Sequence, residues 1–298
     1  MTPHWRTAAF AGCATALLAT ASDAAAPLSI PYQLTYSQNL DVTPSPDGKK
    51  LVIITLVAGV EQLFATDADG SHPVQLTQGD ANHEDPAWSP DGKSIAYVLI
   101  GKDSERIYTM RPDGSGAAPL TPEGRRVIHP AWSADSRRVI YCTDDDLHPP
   151  AKNASDILAT DVATRQTTVL VTGGVNTYPA WSPDMKHLAF RRILGESNSE
   201  IFIADADGAN PRNLTNNPAF DGWPAWSPDG ARIAFASNRR ANYQVFVMDA
   251  DGGNVQLAAN TNGRATAPRW SPDGRTLYFT DCRNVDYGVA CEIMAAKL

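Results

Sequence analysis

Short apolar runs, four to six residues long and bracketed by Pro, Asp and Gly, recur along the 298-residue chain. Ser94-Ile95-Ala96-Tyr97-Val98, Arg232-Ile233-Ala234-Phe235 and Thr276-Leu277-Tyr278-Phe279 are examples. Their length and their β-branched and aromatic content predict buried or half-buried strands. Each run follows a copy of one motif. The fullest copy is Pro86-Ala87-Trp88-Ser89-Pro90-Asp91-Gly92-Lys93. Others stand at Pro130–Asp135, Pro179–Asp184, Pro224–Gly230 and Pro268–Gly274, with a weaker one at Pro44–Lys49. The motif's aspartates fall at 47, 91, 135, 184, 229 and 273, so the spacings are 44, 44, 49, 45 and 44. A period of this size carried only by strand signals predicts propeller blades, and six copies predict six. In the turn that ends the motif, Pro pre-sets φ, Asp bonds its own backbone and Gly supplies φ > 0. Ser136 and Met185 replace that Gly in two copies. Those two turns are expected to be slightly strained or differently shaped.

A second signature ends each following strand pair in Asp-Gly, a hairpin signal. It reads Leu63–Gly70, Ile107–Gly114, Ile201–Gly208 and Val245–Gly252. Outgoing strands then carry Gln75-Leu76-Thr77, Pro119-Leu120-Thr121 and Asn213-Leu214-Thr215. Each repeat is thus four strands, too little to bury both faces alone, so the blades must stack around an axis. The motif Trp is the natural wedge between neighbours. The last repeat stops at its third strand, Glu292–Leu298, and Tyr32-Gln33-Leu34-Thr35 matches the missing fourth. The expected fold is all-β, a six-bladed β-propeller of four-stranded blades closed by an N-terminal strand that completes the last blade.

These six copies resemble the TolB-type propeller repeat over about residues 32–298. With the propeller beginning near residue 32, the α/β domain that precedes the propeller in TolB is not expected here. The resemblance implies a non-catalytic scaffold that binds a protein or cell-envelope component, with a peptidoglycan-associated lipoprotein as the partner by analogy. Related repeats in oligogalacturonate lyases, which hold metal-binding His residues in the channel, imply the alternative: a saccharide-acting lyase or hydrolase with a metal site at the channel mouth.

Residues 1–26 read as a secretory signal, with Arg6 in a short first region, an apolar stretch from Ala8 to Ala19 and small residues up to Ala26. Cleavage after Ala24 or Ala25 leaves the propeller as 27–298; a lipoprotein signal at Cys13 is the competing reading. No later segment approaches the ~20 apolar residues of a membrane helix, so a periplasmic or secreted protein is expected. A net charge of −8 without a basic run excludes nucleic acid and anionic membranes as natural partners. Cys282 and Cys291 flank one hairpin loop and are expected to form a disulfide in an oxidising compartment, the other reading being two buried thiols. Cys142 reads as a buried small hydrophobe.

Function concentrates on loops over a rigid scaffold. The variable loops, Asp144–Pro150, Ser237–Tyr243 and Arg283–Tyr287, lie on the face opposite the Gly-containing turns, and binding is expected there. The position three before each Trp should ring the channel mouth. It holds Asp41, Asp85, His129, Tyr178, Trp223 and Ala267, with His83 and Glu84 adjacent and Asp221 opposite. Asp41, Asp85 and His129 could hold a divalent metal or a cationic ligand; equally, Asp here caps the turn before the inner strand. Tyr178 and Trp223 could bind a sugar or a peptide side chain, or pack. The Asp-Ala-Asp-Gly turns lack the downstream Glu of a calcium loop. The chain has no Gly-x-Ser-x-Gly elbow, no His-Glu-x-x-His and no phosphate-cradling loop, so no catalytic residues and no organic cofactor are assigned.

Overall fold

The computed structural model describes residues 29, 31–35, 39–102, 104–144, 154–285 and 288–298. The expected signal at 1–26 lies outside the described residues, as do 145–150 of the blade-three loop and 286–287 of blade six. Among the described residues, the strands form six four-stranded antiparallel sheets. Five sheets follow chain order, and the sixth joins Tyr32–Gln33 to Gly288–Lys297, Thr276–Val285 and Arg264–Trp270. This is the six-bladed propeller closed by its N-terminal strand. No helix among the described residues is long and apolar enough to cross a membrane.

The Leu-Thr signature explains how closure works. Four outer strands are only two residues long: Tyr32–Gln33, Val74–Gln75, Ala118–Pro119 and Arg212–Asn213. The Thr hydroxyl therefore continues the ladder. Leu76 N–H donates to the Leu63 carbonyl (2.8 Å), while Leu63 N–H donates to Thr77 Oγ1 (2.9 Å). Thr121 and Thr215 do the same for Ile107 and Ile201, each at 3.1 Å. At the seam, Leu34 N–H donates to the Ile293 carbonyl (2.8 Å) and Ile293 N–H to Thr35 Oγ1 (2.9 Å). The N-terminal segment thus does for blade six what Leu76-Thr77 does for blade one, and no backbone donor is stranded there.

Six apolar clusters carry the stack, one at each blade interface. Trp270 packs in one of them and donates its Nε1–H across to the Ala225 carbonyl of the preceding blade (3.0 Å). Trp132 and Trp226 bridge likewise to Ala87 (2.9 Å) and Ala180 (3.2 Å). Trp181 instead donates to Ala206 of its own blade (3.0 Å), with the Arg138 guanidinium 4.7 Å over its ring.

The turns repeat in every blade. Ser227 Oγ–H donates to Asp229 Oδ1 (2.6 Å), which also accepts Ala231 N–H (3.0 Å), and Arg232 N–H donates to Ser227 Oγ (2.9 Å). Ser136 and Met185 keep the common turn and pay with backbone strain, both at φ 59°. Their side chains reach the preceding blade: Asp91 N–H donates to Ser136 Oγ (3.0 Å), and Ala134 N–H to Met185 Sδ (3.3 Å). Cys282 and Cys291 are paired partners in the last hairpin and form the disulfide. Cys142 is a buried free thiol.

Candidate binding site: the central funnel

Every inner strand carries one extra residue against its neighbour. In blade two, Glu84 pairs with Val98 but Ala87 with Ala96, so Asp85-Pro86 bulges. The same shift occurs in the other five blades. Proline follows the bulge residue in five blades, and its missing N–H leaves no donor unpaired where the ladder breaks. In blade one Val42 takes that place, and its N–H is satisfied by Asp41 Oδ1 (2.7 Å). The bulge residue sits at positive φ in five blades: Asp85 49°, His129 56°, Tyr178 51°, Trp223 54° and Ala267 50°. Such backbone strain at non-glycine residues costs roughly 1–2 kcal/mol each and is tolerated where the fold needs a side chain aimed in a set direction. Here the direction is the propeller axis.

Asp85, His129, Tyr178 and Trp223 thereby floor a cavity of ≈ 460 Å³. Its walls are Trp88, Trp132, Trp181, Trp226 and Trp270, and its rim holds Pro46, Pro90, Ala134, Pro183, Pro228 and Pro272 of the turns. The funnel therefore opens on the turn face, whereas the sequence placed this ring at a mouth on the loop face. The reason is the position of the bulge: it falls midway along the inner strand, so the residues behind it up to the turn line the wall.

The floor has two halves. On the polar side stand Asp85 and Arg269; Asp41 is outside the cavity lining, with its Oδ2 3.8 Å from Arg269 Nη2. Burial pushes the Asp41 carboxyl up to about 6, against the pull of Arg269. Burial also raises Asp85, although the His129 N–H donates to its Oδ2 (3.1 Å). On the aromatic side, the His129 ring stacks on Tyr178 at 3.6 Å, and Tyr178 meets Trp223 at 5.3 Å. Burial, reinforced by the charges of Arg191 and Arg269, holds His129 well below the usual imidazole range, so it is neutral at physiological pH.

His129 Nδ1 lies 3.2 Å from Cys142 Sγ, and its Nε2 is 4.0 Å from Asp85 Oδ2. The order Cys-His-Asp has the look of an activated nucleophile. However, Cys142 has no exposed surface and burial pushes its thiol up to about 12. No thiolate forms there near neutral pH, and no substrate can reach the sulfur. Among the described residues, no three His, Cys, Asp or Glu side chains converge to hold a metal. Asp41 faces Arg269, and one Asp85 oxygen is taken by a backbone N–H, so the donor set does not fit a divalent ion.

His83 and Asp221 lie away from the funnel. His83 is buried with its ring 5.6 Å from Tyr97. Asp221 is fully buried and ion-paired with Arg239 at 2.9 Å. Glu84 is also outside the cavity lining; burial and the neighbouring Glu61 carboxyl raise its pKa. Arg269 was missed by the sequence reading. It stands where four other copies have Ala before Trp, and that departure was the available signal.

The family described as "TolB beta propeller domain" matches residues 38–150 and 150–297. No curated protein matches the chain. Among solved structures, TolB from Acinetobacter baumannii superposes with TM-score 0.66 at 22% identity, over 88% of this chain and 64% of that one. The chain thus spans less than two thirds of that relative. A putative TolB from Agrobacterium tumefaciens gives TM-score 0.66 at 22% identity, over 90% of this chain and 96% of that one. An oligogalacturonate lyase in complex with manganese gives TM-score 0.62 at 15% identity, over 90% and 93%. At these identities the structural likenesses establish the fold alone.

Proposed function

The chain belongs to the TolB β-propeller domain family, and on that premise we propose that it is an exported, non-catalytic binding propeller that receives a protein of the cell envelope in its central funnel. The carrying observation is the funnel itself: five Trp and the turn prolines form an apolar wall around a floor of Asp85, His129, Tyr178 and Trp223. Concave, mostly apolar sites with a few converging polar groups are typical ligand seats. A projecting segment of a partner, with an apolar body and a polar tip, matches it. The partner we propose is a peptidoglycan-associated lipoprotein. The Cys282–Cys291 disulfide fits an oxidising periplasm or exterior.

The saccharide-lyase or hydrolase reading has less to stand on. Of its two expected histidines only His129 lines the funnel, and the thiol beside it, Cys142, is buried with its pKa pushed up to about 12.

Ala134 on the exposed rim offers the test, because other blades carry Pro there and its side chain supports nothing else. Calorimetric titration with a purified peptidoglycan-associated lipoprotein should show binding to the wild type and at least tenfold weaker binding to Ala134→Trp. No binding to the wild type, or equal affinity for both proteins, would sink the proposal.

A further inference from the structure

A second cavity, ≈ 610 Å³, opens on the loop face between blades four and five. Its lining includes Val175, Leu194, Asn198, Phe220 and Tyr243, with Arg191 as its cation and Glu196 as its one carboxylate. Arg191 is an anomaly of the repeat. Seven residues after each turn Asp the other blades place Ile54, Val98, Cys142, Ala236 and Thr280, every one of them at most 4% exposed. Only blade four puts a charge in this core column.

The neighbouring blade makes room for it. Gly222 stands beside Arg191, and a Cβ there would come within 3.1 Å of Arg191 Cδ and 2.7 Å of the Phe220 ring. The guanidinium lies 4.8 Å over the Phe220 ring and 5.6 Å over that of Tyr178. Those rings supply cation–π attraction but no counter-charge. Comparable arginines have an acid: Arg106 with Glu123, Arg239 with Asp221, Arg269 with Asp41, Arg283 with Asp281. Among the described residues Arg191 has no carboxylate partner, and its buried Nε has no acceptor. Asn198 Oδ1, on the same cavity, is a buried acceptor with no donor. Leaving a buried donor and a buried acceptor unmade is costly. Burial lowers the Arg191 pKa, but an arginine stays charged at neutral pH.

We propose that this cleft binds the free carboxyl terminus of a peptide with an apolar last residue. Arg191 takes the terminal carboxylate, Asn198 Oδ1 accepts the last amide N–H, and the side chain lies against Leu194, Phe220 and Tyr243. One ligand thereby supplies the missing acceptor, the missing donor and an apolar body. The cleft opens on the opposite face from the funnel rim, and although Arg191 also lies over the floor residue Tyr178, each site is tested with its own probe.

The probe is acetyl-alanyl-leucine as free acid and as C-terminal amide, titrated calorimetrically into the full mature chain, with glucuronic acid as a carboxylate lacking the amide. The free acid should bind at least ten times more tightly than the amide and than glucuronic acid, the scale of a charge-assisted hydrogen bond. Arg191→Gln should abolish that acid-over-amide preference, and Arg191→Lys should restore part of it. Asn198→Ala should weaken the acid several-fold, while Ala134→Trp should leave it unchanged. Equal affinity for acid and amide, tighter binding of glucuronic acid than of the peptide, or no binding of any probe would overturn the proposal. The acid-to-amide comparison is made on one folded wild-type protein, so it does not depend on any variant's stability.

Discussion

The turns and the funnel floor lie a few residues apart on the same six inner strands, yet one is chemically uniform and the other is not. In every blade the turn Ser hydroxyl bonds the turn Asp, at 2.6–2.7 Å. These groups bond one another and the backbone of their own turn, so six blades can share one solution. On the floor the backbone is again shared, with a bulge in each blade, but the side chains differ from blade to blade. The bulge aims a side chain at the axis and leaves its identity free. The repeat therefore fixes geometry on the rim and leaves specificity to the floor.

The largest effect should come from breaking the shared scaffold. Trp270→Ala removes a ring that is 6% exposed and bonded across a blade interface. It should cost about 3–5 kcal/mol in urea denaturation. Trp88→Ala, whose ring is only half-buried and whose indole N–H has no partner among the described residues, should cost about half as much. Equal losses would mean that the wall tryptophans do not differ in structural weight.

The two regions should also respond oppositely to pH. The turn aspartates are held below their usual range, foremost by the Ser hydroxyl. Their contribution is present at neutral pH and is lost as pH falls below about 4. Asp41, outside the cavity lining but beside the lining residue Arg269, is raised from 3.8 to about 6. The folded state there holds the proton more tightly, so the ionised carboxylate costs stability above pH 6, and stability is regained as pH falls from 6 towards 4. Asp41→Asn should remove this slope and stabilise the fold at pH 7.5, since the opposing pull of Arg269 is already contained in the raised value. Thermal melts at pH 4.5 and 7.5 that run parallel for both proteins would contradict this.

The smallest effect isolates backbone strain. Ala267 holds φ 50° without a polar role, so Ala267→Gly should gain about 0.5 kcal/mol. Gly274→Ala in the adjoining turn, at φ 69°, should lose about 1 kcal/mol. Chemical denaturation of the pair would measure the cost of aiming a side chain at the axis.

The fold was legible in the sequence because tight turns and ladder ends demand particular residues. Ser-Pro-Asp-Gly gave the period, and Leu34-Thr35 gave the closing strand. Counting from each Trp found Asp85, His129, Tyr178 and Trp223, since the bulge keeps one offset in every blade. His83 and Asp221 were nominated as adjacent to and opposite the ring; each lies two residues before a floor residue, which in an unbroken strand means the same face. The bulge breaks that alternation and sends both into the blades. The face on which the funnel opens was not legible, because it depends on how far along the strand the bulge falls. Arg191 and Arg269 could have been found by asking where one copy departs from the column the others share.

Hydrogen exchange of the propeller, residues 27–298, with and without a purified peptidoglycan-associated lipoprotein tests the central claim most directly. The account predicts protection of the turns at 45–49, 89–93, 133–137, 182–186, 227–231 and 271–275, with the loop face at 194–198 and 237–242 unchanged. Protection confined to the loop face, or none at a saturating partner concentration, would contradict it.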